Sequence, residues 1–285
     1  MAARRLHFLI YATIANCCLF LVVCGVALGT NQWFSTSTKT NDDVTGIEVK
    51  TSYGLFVGEK TKTNVGSSTK FSLKIVCQGS KCMFSCGKSS DARKEDIQNL
   101  IGGLDEADYR ICNDEYNPPT RSRSANNTTR QAEGIERRRI FINFGLYLAT
   151  IAFIALGMIF AIVAGVLALY NTYRTPIQPV LSVSGLYVWN GIAAASVLLA
   201  MIMWIIQLTT CLRKNAAISD TLSGSHNSDG VGSLGISFWC LILAIVFAVA
   251  NIGVIRYRTW KIQKMEENNI RVMTDKLESG DILLF

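Results

Sequence analysis

This sequence is poor in the residues that carry out chemistry, and over long stretches it lacks charge altogether. Among 285 residues there are only two histidines, His7 and His226. Neither has a Cys, Ser or carboxylate at a spacing that suggests a catalytic pair. No HExxH, Walker loop or GxSxG occurs. The expectation is a protein that is not an enzyme and holds no cofactor or metal. Four long runs contain no Asp, Glu, Lys or Arg: Phe8 to Leu28, Phe141 to Tyr170, Ser184 to Leu208 and Leu234 to Ile255. A pump or proton-coupled transporter needs charge inside its spans, so those classes are disfavoured. The formal net charge is +7, but no basic face alternates with aromatics in a foldable soluble segment. Nucleic acid is therefore not an expected partner.

What the chain does have is apolar length. Each uncharged run reaches the ~20 residues needed to cross a bilayer as a helix. The second and third are joined by the short stretch Asn171 to Pro179, which makes them antiparallel neighbours. The predicted fold class is a membrane α-helical protein, a four-transmembrane-helix bundle with a small extracellular β-sheet domain in its first loop. The expected layout is a cytoplasmic N-terminus at 1–6 and spans at 7–29, 140–170, 184–211 and 234–255. An outer loop covers 30–139, a cytoplasmic turn 171–183, a second outer loop 212–233 and a cytoplasmic tail 256–285. The first run is too long for a cleaved signal h-region of ~7–15 residues and reads as a retained signal-anchor.

Orientation rests on two kinds of signal. Arg4, Arg5, Arg174, Arg256, Arg258, Lys261 and Lys264 all fall on one side of such a layout, which the positive-inside rule makes cytoplasmic. Arg137 to Arg139 and Arg213-Lys214 oppose it, so charge alone decides little. The long loop carries overlapping sequons at Asn126 and Asn127. It also holds four cysteines, Cys77, Cys82, Cys86 and Cys112, suited to an oxidising lumen. Both termini are therefore placed in the cytoplasm of a plasma-membrane protein, with the loop outside. Four cysteines allow three pairings, and a four-thiolate zinc site is the competing reading. The remaining cysteines, Cys17, Cys18, Cys24, Cys211 and Cys240, lie in or beside the spans.

Within the loop, Tyr53, Leu55 and Val57 alternate in Ser52 to Glu59, and Phe71, Leu73 and Ile75 alternate before Cys77. Period-two patterning bounded by Gly, Asn and Ser predicts a small antiparallel sheet. Ile97, Leu100, Ile101 and Leu104 have helical spacing, predicting a short helix over Asp91 to Leu104 that packs on the sheet. The polar stretch Asn117 to Glu136, with Pro118-Pro119, reads as a glycosylated stalk. Arg213 to Ser233 ends as a Gly/Ser linker without assignable chemistry.

Small residues mark where helices approach in lipid. The pair Gly25 and Gly29, the stripe Gly157, Ala161 and Gly165, and Gly191 with Ala195 are the expected packing positions. Trp33 stands where an amphipathic ring anchors at the outer interface. The span amides Asn16, Asn143, Asn190, Gln207 and Asn251 are expected to bond between helices. Basic residues mixed with Trp260 suit anionic headgroups. At the C-terminus, Leu283 and Phe285 form the kind of ending that PDZ domains take by strand addition.

These stretches resemble the clarin family of four-pass proteins, within the wider claudin-like group. The resemblance rests on Ala27 to Thr30 before Trp33, and on Tyr53-Gly54-Leu55-Phe56-Val57-Gly58-Glu59. It continues through Tyr170-Asn171, Gly185-Leu186-Tyr187 and Ser237-Phe238-Trp239, with Asn251 and Arg256 near the end of span four. Order and spacing agree over all four spans. The sequence departs from the vertebrate clarin pattern by an insertion from about Cys82 to Glu136, which suggests a divergent or invertebrate clarin. Claudins carry glycine-leucine-tryptophan where this chain has Gly54-Leu55-Phe56. The resemblance implies a plasma-membrane organiser of sensory cells, acting in hearing through hair bundles, actin-rich protrusions and synapses. The expected partners are membrane lipids, other membrane proteins, PDZ or actin-linked scaffold proteins, and a second copy of the chain. Two further readings share the fold: a claudin-like adhesion or barrier protein, and an auxiliary subunit of an ion channel.

Overall fold

The computed structural model describes residues 2–39, 48–64, 67–102, 141–173, 182–214 and 232–278. Several sequence readings fall outside them: Cys112, the sequons at Asn126 and Asn127, the polar stretch leading to span two, the Arg174 turn, His226, and Leu283 with Phe285.

Four helices are long and apolar enough to cross a membrane, at Phe8–Gly29, Phe144–Thr172, Val183–Leu212 and Ile236–Leu277. They belong to α1 (Ala2–Gly29), α3 (Phe144–Tyr173), α4 (Val183–Gln207) and α5 (Ile236–Glu278); the short α2 spans Ser90–Ile101. Between α1 and α3 run β1 (Phe34–Lys39), β2 (Glu48–Tyr53), β3 (Val57–Asn64), β4 (Ser67–Gln78), β5 (Lys81–Ser85) and β6 (Ile142–Asn143). The last strand, β7 (Ser233–Leu234), precedes α5. The residues divide into two compact units. The first comprises Met1–Val22, Leu156–Ser196 and Leu243–Phe285; the second comprises Val23–Ala155 and Val197–Ile242.

In the first unit, all four long helices contribute to one apolar cluster. It is built from Ile10 and Cys17 of α1, Ala164, Leu167 and Ala168 of α3, Leu186 of α4 and Ile255 of α5. Small side chains let the helices approach: a Cβ added to Gly165 would lie 3.5 Å from that of Cys17. Gly157 and Ala161 are buried on the same helix. Other expected packing positions are corrected. Gly25 and Gly29 are exposed, and a Cβ on either would meet nothing within 4 Å. The buried stripe of α1 is Thr13, Cys17, Phe20, Cys24 and Ala27, and at 100° per residue the glycines are turned away from it. On α4, Ala195 is exposed and a Cβ on Gly191 would meet nothing within 4 Å, while Ala193, Ser196, Val197 and Ala200 are buried.

The second unit holds an antiparallel sheet of seven strands in the order β6-β5-β4-β3-β2-β1-β7. Its two outermost strands have only two residues each and lead directly into α3 and α5. Helix α2 is capped by Ser89, whose Oγ accepts from the Ala92 amide at 3.0 Å. It buries Ile97 and Leu100 against Met83 of β5. Its Asp96 is buried and accepts a 2.5 Å hydrogen bond from the Ser85 hydroxyl.

Two expectations change here. The alternation of Ser52 to Glu59 runs through a corner: β2 ends at Tyr53, β3 begins at Val57, and the Gly54 amide donates to the Val57 carbonyl at 2.8 Å. Asn143 does not bond between helices. Its Oδ1 accepts from the amides of Gly145 at 2.8 Å and Leu146 at 3.3 Å, capping α3. Beyond Ile255, where the sequence reading ended span four, α5 continues to Glu278. Residues 254–278 contain no Gly or Pro and are rich in Lys, Arg, Gln, Glu and Met, which favour helix.

Candidate functional site

The resemblance motif builds a corner in the second unit, where the chain leaves α1 and meets the sheet. Trp33 is wholly buried, which corrects its placement as an interfacial anchor. Its indole N–H donates to the Ala27 carbonyl at 2.6 Å, satisfying an acceptor that the end of α1 leaves open. Its ring meets Trp204 edge-on at 5.0 Å, and its amide donates to the Tyr53 carbonyl at 2.8 Å. A tryptophan with every polar atom spent inside the fold is a core plug.

Glycine is required at this corner because backbone passes backbone. A Cβ on Gly54 would run into the Thr30 carbonyl oxygen, and one on Gly235 into that of Gln32. The amides of Gly235 and Ser237 donate to the carbonyls of Trp33 and Gln32 at 2.9 and 3.0 Å. The hydroxyls of Thr30 and Ser237 lie 2.6 Å apart. Thus the exit of α1, the β2–β3 corner and the start of α5 form one hydrogen-bonded knot. Tyr53 stands opposite Gly58 in the register, and a Cβ on Gly58 would lie 2.7 Å from the Tyr53 ring. The tyrosine ring stacks on Phe84 at 4.3 Å and on Phe34 at 6.0 Å.

Of the motif residues, Trp33, Tyr53, Gly54, Leu55 and Gly58 come together. Phe56 does not; it is 46% exposed. Glu59 lies on the open face, paired with Lys70 at 3.1 Å. That face carries Ser35, Ser37, Lys50, Ser52, Glu59 and Thr61 at successive cross-strand positions, and with Ser233 they line a shallow concavity of about 530 Å³. It offers hydroxyls and a few charges, and the Ser37 hydroxyl donates to Glu48 Oε1 at 2.8 Å. Such a surface is suited to hydrogen bonding. The opposite face is partly apolar, yet Lys60 is 2% exposed there, in a cross-strand row with Thr36 and Thr51. Sequence reasoning missed Lys60, because lysine in an alternating strand reads as solvent-facing.

Among the cysteines, Cys77 and Cys82 are bonded to each other across β4 and β5, where they are register partners. The hairpin turn between them places Gly79 at φ +60°, the left-handed region that glycine tolerates. Cys86 is also disulfide-bonded. Oxidised sulfur does not ligate zinc as thiolate, and among the described residues no three potential ligands converge.

In the first unit, Asn251 of α5 bridges two helices. Its Nδ2 donates to Asn190 Oδ1 at 3.1 Å and contacts Cys17 Sγ at 3.1 Å. Gln207 of α4, in the second unit, is wholly buried, and neither amide atom has a partner among the described residues. It directly precedes a π-helical turn over Leu208–Leu212.

No family model matches the chain. Clarin-3 of Homo sapiens is 22% identical over 250 residues, covering 87% of this chain and 84% of the relative. Clarin-3 of Mus musculus is 28% identical over 129 residues, covering 43% of this chain and 54% of the relative.

Proposed function

We propose that this chain, a distant relative of the clarins, is a non-enzymatic four-pass organiser of the plasma membrane. The observation that carries the reading is the knot at Trp33, Gly54 and Gly235. It ties the sheet to the ends of α1 and α5 through backbone hydrogen bonds, so the sheet is a platform held by the helices. The reading places the sheet outside, with its hydroxyl-lined face towards extracellular partners, and both termini inside.

On the cytoplasmic side, α5 continues from Arg256 to Glu278, which at 1.5 Å per residue is about 33 Å of helix. Ile270, Met273 and Leu277 lie at i, i+3 and i+7 and are each more than 60% exposed. This ridge is the proposed docking surface for actin-linked scaffold proteins. The proposed setting is the actin-based protrusion or synapse of a sensory cell.

The test is high-resolution localisation of the endogenous protein in intact tissue, beside a version truncated after Lys264. Concentration at protrusions or synapses, lost on truncation, supports the organiser reading. Uniform lining of epithelial contacts, unchanged by truncation, overturns it. The hydroxyl-lined sheet face favours that second, adhesive reading, and aggregation of transfected cells would then depend on Ser35, Ser52 and Thr61.

A further inference from the structure

Between Ile255 and Glu266, the first unit carries cations and no acid. Its segments 1–22, 156–196 and 243–265 contain no Asp or Glu. The same segments carry Arg4, Arg5, Arg174, Arg256, Arg258, Lys261 and Lys264.

These cations are not equivalent. Asn251 and Ile255 are buried on the inward face of α5, and Arg258 follows them at i+7 and i+3. Arg258 is accordingly half-buried, and its Nε is removed from solvent with no hydrogen-bond partner among the described residues. The Tyr187 hydroxyl of α4 lies 3.5 Å from that of Thr259, so α4 is drawn against α5 beside this arginine. Arg256, two residues earlier, is exposed. On the outward side, Lys261 lies over the Tyr257 ring at 5.6 Å, and Lys264 over Trp260 at 5.2 Å. Aromatic rings with snorkelling lysines mark the depth of lipid headgroups.

A guanidinium with one N–H removed from solvent and unpartnered carries a cost that an anion on its remaining N–H groups offsets. Its fork matches a phosphate, which takes two parallel hydrogen bonds and supplies the missing charge. The next acid along α5 is Glu266, two turns on, about 12 Å away along the axis. We propose that the Arg258 end of the first unit is a site for the phosphate of an anionic phospholipid. Arg258 is the anchoring ligand, and Lys261 and Lys264 attract the headgroup from the rim. The inference rests on the four-pass reading, but not on which side the tail occupies.

The experiment uses full-length protein purified in detergent, with lipid retention read by native mass spectrometry. The lipid probes are phosphatidylinositol phosphate, phosphatidylserine and phosphatidylcholine. Inositol phosphate and inorganic phosphate serve as soluble competitors. The expected result is one tightly retained anionic lipid per chain, reduced about tenfold or more by Arg258→Gln and less than about twofold by Arg256→Gln. Equal losses for the two variants would indicate diffuse charge and overturn the site, as would unchanged retention in Arg258→Gln. Displacement by a soluble competitor at the concentration of the lipid would reassign the site to a free anion. Should Arg258→Gln fail to fold, Arg258→Lys keeps the charge and loses the fork. A drop of several-fold supports the site, and full retention overturns it. Lipid is present on every face of the micelle, so an inverted topology would leave this result unchanged. A topology assay separates failure of one reading from failure of the other.

Discussion

The Asn251 side-chain amide donates to Asn190 Oδ1 at 3.1 Å and to Cys17 Sγ at the same distance, joining α5 to α4 and α1 through one polar group. In lipid an interhelical bond of this kind contributes about 0.6 kcal/mol on average. Asn251→Leu should lower the stability of the purified protein by roughly 1 kcal/mol, because Asn190 Oδ1 then also loses its donor. A double-mutant cycle with Asn190→Leu, read by reversible denaturation, should show coupling of about 0.5 kcal/mol or more. Strict additivity would mean that the two amides do not depend on each other.

The corner glycines separate from the span glycines by what a methyl group would meet. Gly54→Ala and Gly235→Ala each drive a Cβ into a carbonyl oxygen. Each should cost about 1–3 kcal/mol or more and impair delivery to the cell surface. Gly25→Ala and Gly29→Ala meet nothing within 4 Å and should be neutral or slightly stabilising in melting experiments. If all four behaved alike, the corner would not be the tight crossing described above.

Gln207 is buried with both amide atoms unpartnered among the described residues. Replacing it with Met removes a polar group and keeps the shape, so Gln207→Met should raise stability by about 1–3 kcal/mol. A fall in melting temperature would show that the amide holds a hydrogen bond to water or lipid.

The Cys77–Cys82 bond closes a loop of sequence separation 5. Chain entropy then assigns it about 2 kcal/mol, at the small end of the usual range. Cys77→Ser with Cys82→Ser should leave a folded protein with a modestly lower melting temperature, because the β4–β5 register is also held by backbone pairing. Complete loss of folded protein would place the bond at the centre of the sheet's stability.

Changing Asn126 and Asn127 together to Gln should abolish any glycosidase-sensitive mass shift, since these are the sequons that carry the assignment of the loop to the outside. A shift that survived the double change would contradict that topology.

Much of the fold was legible because bilayer length and side-chain alternation are local signals. Four uncharged runs are enough to specify four spanning-length helices, and alternation through Phe71, Leu73 and Ile75 is enough to specify β4. Where the sequence misled, a local pattern had two physical causes. Small residues at four-residue spacing occur on lipid-facing and helix-facing sides alike, and only packing shows that Gly165 approaches Cys17 while Gly25 approaches nothing. Alternation in Ser52 to Glu59 continues across a turn, because Tyr53 and Leu55 are both buried there for different reasons.

By itself the sequence determined the four helices of spanning length and the absence of charge within them, because the cost of a charge in hydrocarbon is paid residue by residue. Tertiary structure decided the roles. Trp33 became a plug because Trp204 and the Ala27 carbonyl lie within reach. Asn143 became a helix cap and Asn251 a bridge, and Arg258 turned inward while Arg256 did not. Each of those outcomes depends on which surface a neighbouring element covers, and that is a property of the assembled chain.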